Sequence, residues 1–186
     1  MISAWSSLPI FGPISRTRLA DWADQWRAIC LALSLAASAG CSGLRGADPA
    51  IGPLSVAFEH DDLGKKPRGF STGLTGGGSP VFWAVREVPN AAGGKPVLLQ
   101  ESSDATSYRF PVCVYDDFVA RDVAVQVRFM AISGRVDQAG GIVLRYHPDN
   151  YYVARANALE DNINLYKIVG GKRTRIKEAP LKVTAG

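Results

Sequence analysis

The sequence predicts an all-β domain, a β-sandwich or jelly roll, and three observations carry that expectation. About nine or ten short runs rich in β-branched and aromatic residues recur at intervals of roughly 8–12 residues. The 19 glycines and 11 prolines supply the turns that so many short strands need. No stretch after Cys41 sets apolar residues at i, i+3, i+4 and i+7 over three turns, so helices are not expected. With 186 residues, 47% of them apolar, the chain can bury a core.

Leu54–Phe58 opens the fold as a short strand, and Glu59-His60-Asp61-Asp62 with Gly64-Lys65-Lys66-Pro67 makes a polar loop after it. Gly76-Gly77-Gly78-Ser79 is a loop tip rather than a phosphate cradle, because no Lys-Ser/Thr follows and no helix pattern begins there. Val81–Val88 forms a strand around Trp83, Asn90–Gly94 turns the chain, and Pro96–Glu101 is the next strand. Ser102–Thr106 is a polar loop, and Tyr108–Tyr115 follows it as a strand. Val123–Ile132 alternates apolar with other residues at period two. Three strands joined by short polar turns come next: Gly141–Tyr146, Tyr151–Ala158 and Ile163–Val169. His147-Pro148-Asp149-Asn150 and Glu160-Asp161-Asn162 are turn chemistry, and Gly170-Gly171 ends the third strand. Arg173–Glu178 is one strand more, and Thr184-Ala185-Gly186 reads as a turn into a further one, so the domain is expected to continue past Gly186.

The N-terminal region has a different character. Ile29–Ala39 is an unbroken run of apolar and small residues behind Arg27, far too short to span ~30 Å of hydrocarbon at ~1.5 Å per residue. A basic flank, a short apolar core and small residues are the parts of a secretory signal. Ser38-Ala39-Gly40-Cys41 resembles a bacterial lipobox, which makes Cys41 the expected lipidation site, although Ser38 stands where leucine is usual. The expected division is a signal or lipoprotein leader over 1–41, a small-residue linker over 42–53 and the β-sandwich over 54–186. An amphipathic N-terminal helix ending in a buried cysteine is the alternative. Cys113, inside Pro111-Val112-Cys113-Val114, is expected in the core. The net charge of +4 is interspersed, with no basic stripe to neutralise phosphates, which argues against a nucleic-acid partner.

Two motifs are more specific: Asp137-Gln138-Ala139-Gly140-Gly141-Ile142-Val143, and Asn150-Tyr151-Tyr152-Val153-Ala154-Arg155-Ala156-Asn157-Ala158-Leu159-Glu160-Asp161-Asn162. With Phe58, Asp62, Pro67-Arg68-Gly69-Phe70 and Trp83-Ala84-Val85 upstream, they resemble the concanavalin A-like lectin/glucanase superfamily. The closer likeness is to the 3-keto-disaccharide hydrolase domain, loosely family 16-like, of bacterial secreted proteins. The resemblance covers about Leu54 to Gly186. It implies two antiparallel sheets face to face, with sugars held on a concave surface. The Glu-x-Asp-x-x-Glu signature of classical family 16 enzymes is absent, so that catalytic pair is not carried over.

Period two places Tyr151, Val153, Arg155 and Asn157 on one strand face and Tyr152, Ala154, Ala156 and Ala158 on the other. The small-residue face is expected to pack inward, which would turn Arg155 and Asn157 outward beside Arg145. Planar donors and acceptors flanked by tyrosine suit sugar hydroxyls and C–H faces. Gln138, Arg145, Tyr151, Arg155 and Asn157 are therefore the candidate substrate-binding residues. Cross-strand pairs that only stabilise the sheet are the plainer reading. Glu160 or Asp161 is the acid–base candidate, although adjacent carboxylates cannot both face one bond. Glycosidic cleavage ordinarily uses two carboxyls ~5–9 Å apart, the second coming from Asp137, Glu101 or Asp104. The same residues also read simply as a surface hairpin. Oxygens of Glu160, Asp161 and Asn162, or of Glu59, Asp61 and Asp62, could hold Ca²⁺, though neither set follows an EF-hand pattern. His60 and His147 each sit in a polar loop. The expected function is an extracytoplasmic carbohydrate-binding domain, secreted or membrane-anchored through Cys41, with hydrolysis of glycosidic bonds left open. A non-catalytic envelope or scaffold domain is the alternative.

Overall fold

A computed structural model describes residues 2–6, 9–10 and 53–186, and they fold almost entirely as antiparallel β-structure. Twelve strands follow in order: β1 (Ile2–Ser6), β2 (Pro9–Ile10), β3 (Leu54–Ser55), β4 (Phe70–Gly76), β5 (Trp83–Arg86), β6 (Val97–Gln100), β7 (Arg109–Tyr115), β8 (Arg128–Ser133), β9 (Ala139–His147), β10 (Asn150–Asn157), β11 (Asn162–Val169) and β12 (Lys172–Pro180). A single 3-10 turn covers His60–Asp62, and there is no α-helix among the described residues. The expected lipid anchor Cys41 and the apolar run Ile29–Ala39 lie outside the described residues.

Two four-stranded sheets, ordered β5-β6-β1-β8 and β12-β11-β10-β9, flank the antiparallel pair β4-β7. The second sheet is a meander of consecutive hairpins. Its β9–β10 turn places Asp149 at φ 62°, and Gly170 and Gly171 both take positive φ between β11 and β12. Positive φ at both central residues is what a tight hairpin whose twist matches its strands requires, and glycine adopts it without steric cost. The pairing of β9 with β10 depends on a missing side chain. A Cβ on Gly141 would lie 2.0 Å from the Ala154 carbonyl oxygen.

Strand β7 links two apolar clusters by the alternation of its side chains. Val112 packs with Tyr151, Tyr166 and Ile168, while partly buried Cys113 packs against Phe58, Val85 and Leu98. Burial pushes the Cys113 thiol up to about 12, so it sits as an uncharged, unreactive core group.

Phe70–Gly76 is a seven-residue strand to which the sequence pattern assigns no element. Two expectations need correction. Val123–Val127 is not part of a strand, and β8 begins at Arg128. The faces of β10 are the reverse of those expected: Tyr151 is 4% and Asn157 0% exposed, whereas Tyr152 is 44% exposed. The face bearing Arg155 and Asn157 packs inward.

The alternation on β11 is equally sharp, with Ile168 2% and Val169 60% exposed. Replacing Ile168 by Ala should lower the unfolding free energy by about 2–5 kcal/mol. Val169→Ala should change it by less than about 0.5 kcal/mol. Urea unfolding of the two variants checks this, and equal losses would contradict the assignment of faces.

Candidate functional site

The inner face of the β9–β12 sheet turns from apolar to polar along its length. Paired positions on neighbouring antiparallel strands share a face. Tyr151 pairs with Ile168, Val153 with Tyr166, Arg155 with Asn164, and Asn157 with Asn162. The first two pairs join the Val112 cluster. The last two are amide- and guanidinium-bearing and belong to a polar network.

Arg155 is its centre, with a side chain only 11% exposed. Its Nη1 donates to Asp137 Oδ1 at 3.0 Å and its Nη2 to Glu160 Oε2 at 2.6 Å. Asn157 donates from Nδ2 to the same Asp137 oxygen at 2.7 Å, and its Oδ1 accepts the backbone N–H groups of Gln138 and Leu159. Asn162 donates to Glu160 at 3.2 Å. One guanidinium thus ties together the segment before β9, strand β10 and the β10–β11 turn. A buried charge is tolerable only when paired in this way.

Beyond Arg155 the face carries stacked cations and rings. The Tyr166 ring lies between the Arg155 guanidinium, 5.7 Å from its centroid, and that of Arg173, at 4.6 Å. Arg173 also covers Phe110 at 4.7 Å. These residues border a cavity of about 110 Å³ whose walls include Trp83, Gln100, Gly140 and Gly141. Two buried polar atoms in its walls have no hydrogen-bond partner, Trp83 Nε1 and Arg155 Nε, and neither do the side-chain amide atoms of Asn164, the register neighbour of Arg155. Asn164 is 1% exposed. An unpaired polar group in a cavity wall costs free energy that a ligand's polar groups can recover.

The loop in front of Trp83 is fixed by a second buried arginine. Arg109, 6% exposed, donates to the carbonyls of Ser79 and Pro80 and to Ser102 Oγ. Asp104 accepts the backbone N–H groups of Ser79 and Thr106, and the Thr106 side chain together with these hydrogen bonds holds its carboxyl well below the usual carboxylate range.

Of the residues selected from sequence, Gln138, Arg155, Asn157 and Glu160 are brought together. Tyr151 lies at the apolar end of the same face, where its hydroxyl donates to Thr75 at 3.0 Å. Arg145, an exposed residue at φ 52°, instead donates to the Arg121 carbonyl. Asp161 takes φ 49° and turns to Lys182 and the Val183 N–H, away from Glu160. His60 pairs with Glu87 on the surface, and His147 contacts the Pro148 carbonyl. No group of three or more His, Cys, Asp or Glu that could hold a metal occurs among the described residues. Sequence reasoning did not select Trp83, Asn164, Tyr166 or Arg173 as site residues. For Asn164, Tyr166 and Arg173 the signal was only the alternation of β11 and β12; Trp83, on β5, was read only as a strand residue.

Partial burial pushes the Glu160 carboxyl up, but the Arg155 charge with hydrogen bonds from Asn162, Arg155 and Asn157 outweighs it and holds the group below its ordinary range. A general acid needs the opposite shift. Comparison with family models, curated proteins and solved structures finds no match for this chain.

A depressed carboxylate contributes stability that is present above its unfolded value and is lost as pH falls through its folded one. The urea midpoint should therefore drop between neutral pH and the acid side of the carboxylate range, and Glu160→Gln should flatten that slope. Arg155→Met strands Asp137 beside Asn157 and should cost about 3–5 kcal/mol at neutral pH. Unfolding curves at several pH values check both outcomes.

Proposed function

We propose that the domain is a concanavalin A-like jelly roll of the cell envelope that binds carbohydrate, and that the binding cleft is the cavity beside Trp83, Tyr166 and Arg173. The observation that carries the reading is the pair of unpaired, buried polar atoms on Arg155 and Trp83 in the wall of a pocket lined by aromatic rings. Sugars present alternating hydroxyl rims and C–H faces, and this combination serves both. Amide and guanidinium groups take hydroxyls as donors and acceptors, while ring faces cover the apolar side.

The same geometry favours binding over cleavage. Glu160 is held ionised by Arg155, and Asp161 faces elsewhere. Asp137, the remaining nearby carboxylate, is engaged by both Arg155 and Asn157. A hydrolytic reading needs a protonated carboxyl opposite a second free one. Support for an extracytoplasmic location comes from the signal-like run and lipobox resemblance of the N-terminal sequence.

Calorimetric titration with mono- and disaccharides, ordinary and 3-keto, tests the proposal. Wild type should bind at least one class, Arg173→Ala should weaken binding roughly tenfold, about the cost of one lost hydrogen-bonding group, and Glu160→Gln should retain it. Sugar release by wild type that Glu160→Gln abolishes would establish a hydrolase instead. Absence of any binding would overturn the carbohydrate reading.

A further inference from the structure

The outer face of the β9–β12 sheet is apolar where a solvated face should be polar. An antiparallel sheet with one face on the core ordinarily shows alternation, hydrophobic inward and polar outward. Here Leu144 (38% exposed), Tyr152 (44%), Ile163 (38%) and Leu165 (38%) all project outward from three adjacent strands. They are neighbours in register: Tyr152 pairs with Leu144, Ala154 with both Ile142 and Leu165, and Ala156 with Ile163. The patch runs across β9, β10 and β11 through Leu144, Tyr152, Ala154 and Leu165, while at the Ile163 end Ala156 is buried, 9% exposed. Exposed apolar patches of this kind mark interaction surfaces.

The charges around it identify the partner. Lys167 pairs with Thr174, Lys172 with Val169, and Lys177 with Leu165, so three lysines share this outer face. No carboxylate shares it among the described strand residues, because Glu178 pairs with Asn164 on the inner face. A second copy of the chain packed face to face would set these lysines against one another, at an electrostatic cost. An anionic lipid surface complements both features. Lysine stems lie along apolar surface while their ammonium groups reach headgroups, and tyrosine rings favour the membrane–water interface.

We propose that the outer face of β9–β12 docks on an anionic lipid bilayer, with Leu144, Tyr152, Ile163 and Leu165 against the interface and Lys167, Lys172 and Lys177 on the headgroups. This is a surface distinct from the inner cleft, so it does not depend on sugar binding.

Co-sedimentation of the full chain with vesicles tests it, comparing phosphatidylcholine alone with an equimolar mixture of phosphatidylcholine and phosphatidylglycerol. Wild type should partition onto the anionic vesicles, less so in high salt. The double variant Lys167→Glu/Lys177→Glu should reduce partitioning at least roughly tenfold, on the basis of the attraction each lysine gains at an anionic surface. Leu165→Asp should do the same. Because Lys167 and Lys177 are exposed, the charge-reversed variant keeps the test valid should Leu165→Asp unfold the sheet. Lack of partitioning onto anionic vesicles would overturn the proposal. Partitioning that persists in the charge-reversed variant would also overturn it and assign membrane attachment to Ile29–Ala39. So would a dimer, seen by light scattering, that Leu165→Asp splits.

Discussion

The Arg155 guanidinium is the constraint around which the β9–β12 sheet is arranged. A cation with a side chain 11% exposed must find carboxylates, and no neighbour on its own strand supplies one. Asp137 comes from the approach to β9 and Glu160 from the turn after β10, so both must be placed for the charge to be tolerated. Their placement fixes which face of β10 looks inward. That in turn puts Tyr166 and Asn164 on the interior side of β11 and leaves Leu165 and Ile163 outside. Ion pairs of this kind add little net stability against an apolar alternative. What Arg155 contributes is a definite arrangement: removing it would leave Asp137 and Asn157 facing each other without a cation.

The consequence for chemistry follows directly. Carboxylates that serve to hold an arginine are poorly suited to donate a proton to a leaving group, because the positive charge that positions them also stabilises their ionised form. The Asp137–Arg155–Glu160 arrangement therefore holds one wall of the cavity in place, while Trp83 Nε1 in the cavity lining has no hydrogen-bond partner.

Much of the fold was legible because strands advertise themselves by alternation. The meander Gly141–Val169 was read nearly residue for residue, since Pro148-Asp149 and Gly170-Gly171 are turn residues for definite backbone reasons. Strand β4 was not legible. Ser71-Thr72-Gly73-Leu74-Thr75-Gly76 is small and polar, and its glycine is there to admit another side chain: a Cβ on Gly73 would lie 2.5 Å from the Tyr146 hydroxyl. The error over Val123–Val127 is the converse, a period-two pattern outside any strand. The face of β10 was misread because residue volume pointed one way and a polar network pointed the other. Alanines at 154, 156 and 158 look like packing residues, and only the meeting of Asp137 with Arg155 across 18 positions shows why the charged face is the buried one. Long-range pairing of that sort leaves no local trace in a sequence.

The reversal of β10 also explains why this sheet has two faces needing cover. Once Arg155 and Asn157 turn inward, the residues beside them must turn outward, and those are Tyr152, Ala154 and Ala156, flanked by Leu144, Leu165 and Ile163. The polar network therefore displaces apolar surface to the exterior. A sheet apolar on both sides is normally an inner layer. At one corner, around Gly140, the ring of Phe129 from β8 lies close enough that a Cβ there would meet it at 2.5 Å, so part of the outer side is already covered by protein. The remainder is edged by Lys167, Lys172 and Lys177, with no carboxylate on that face among the described strand residues. Burying that surface against another apolar layer alone would desolvate the lysines at a cost. An interface that is apolar in its middle and anionic at its margin satisfies both requirements, which is why the same inward turn of Arg155 that builds the cleft also prepares the opposite side of the sheet for an acidic, lipid-like surface.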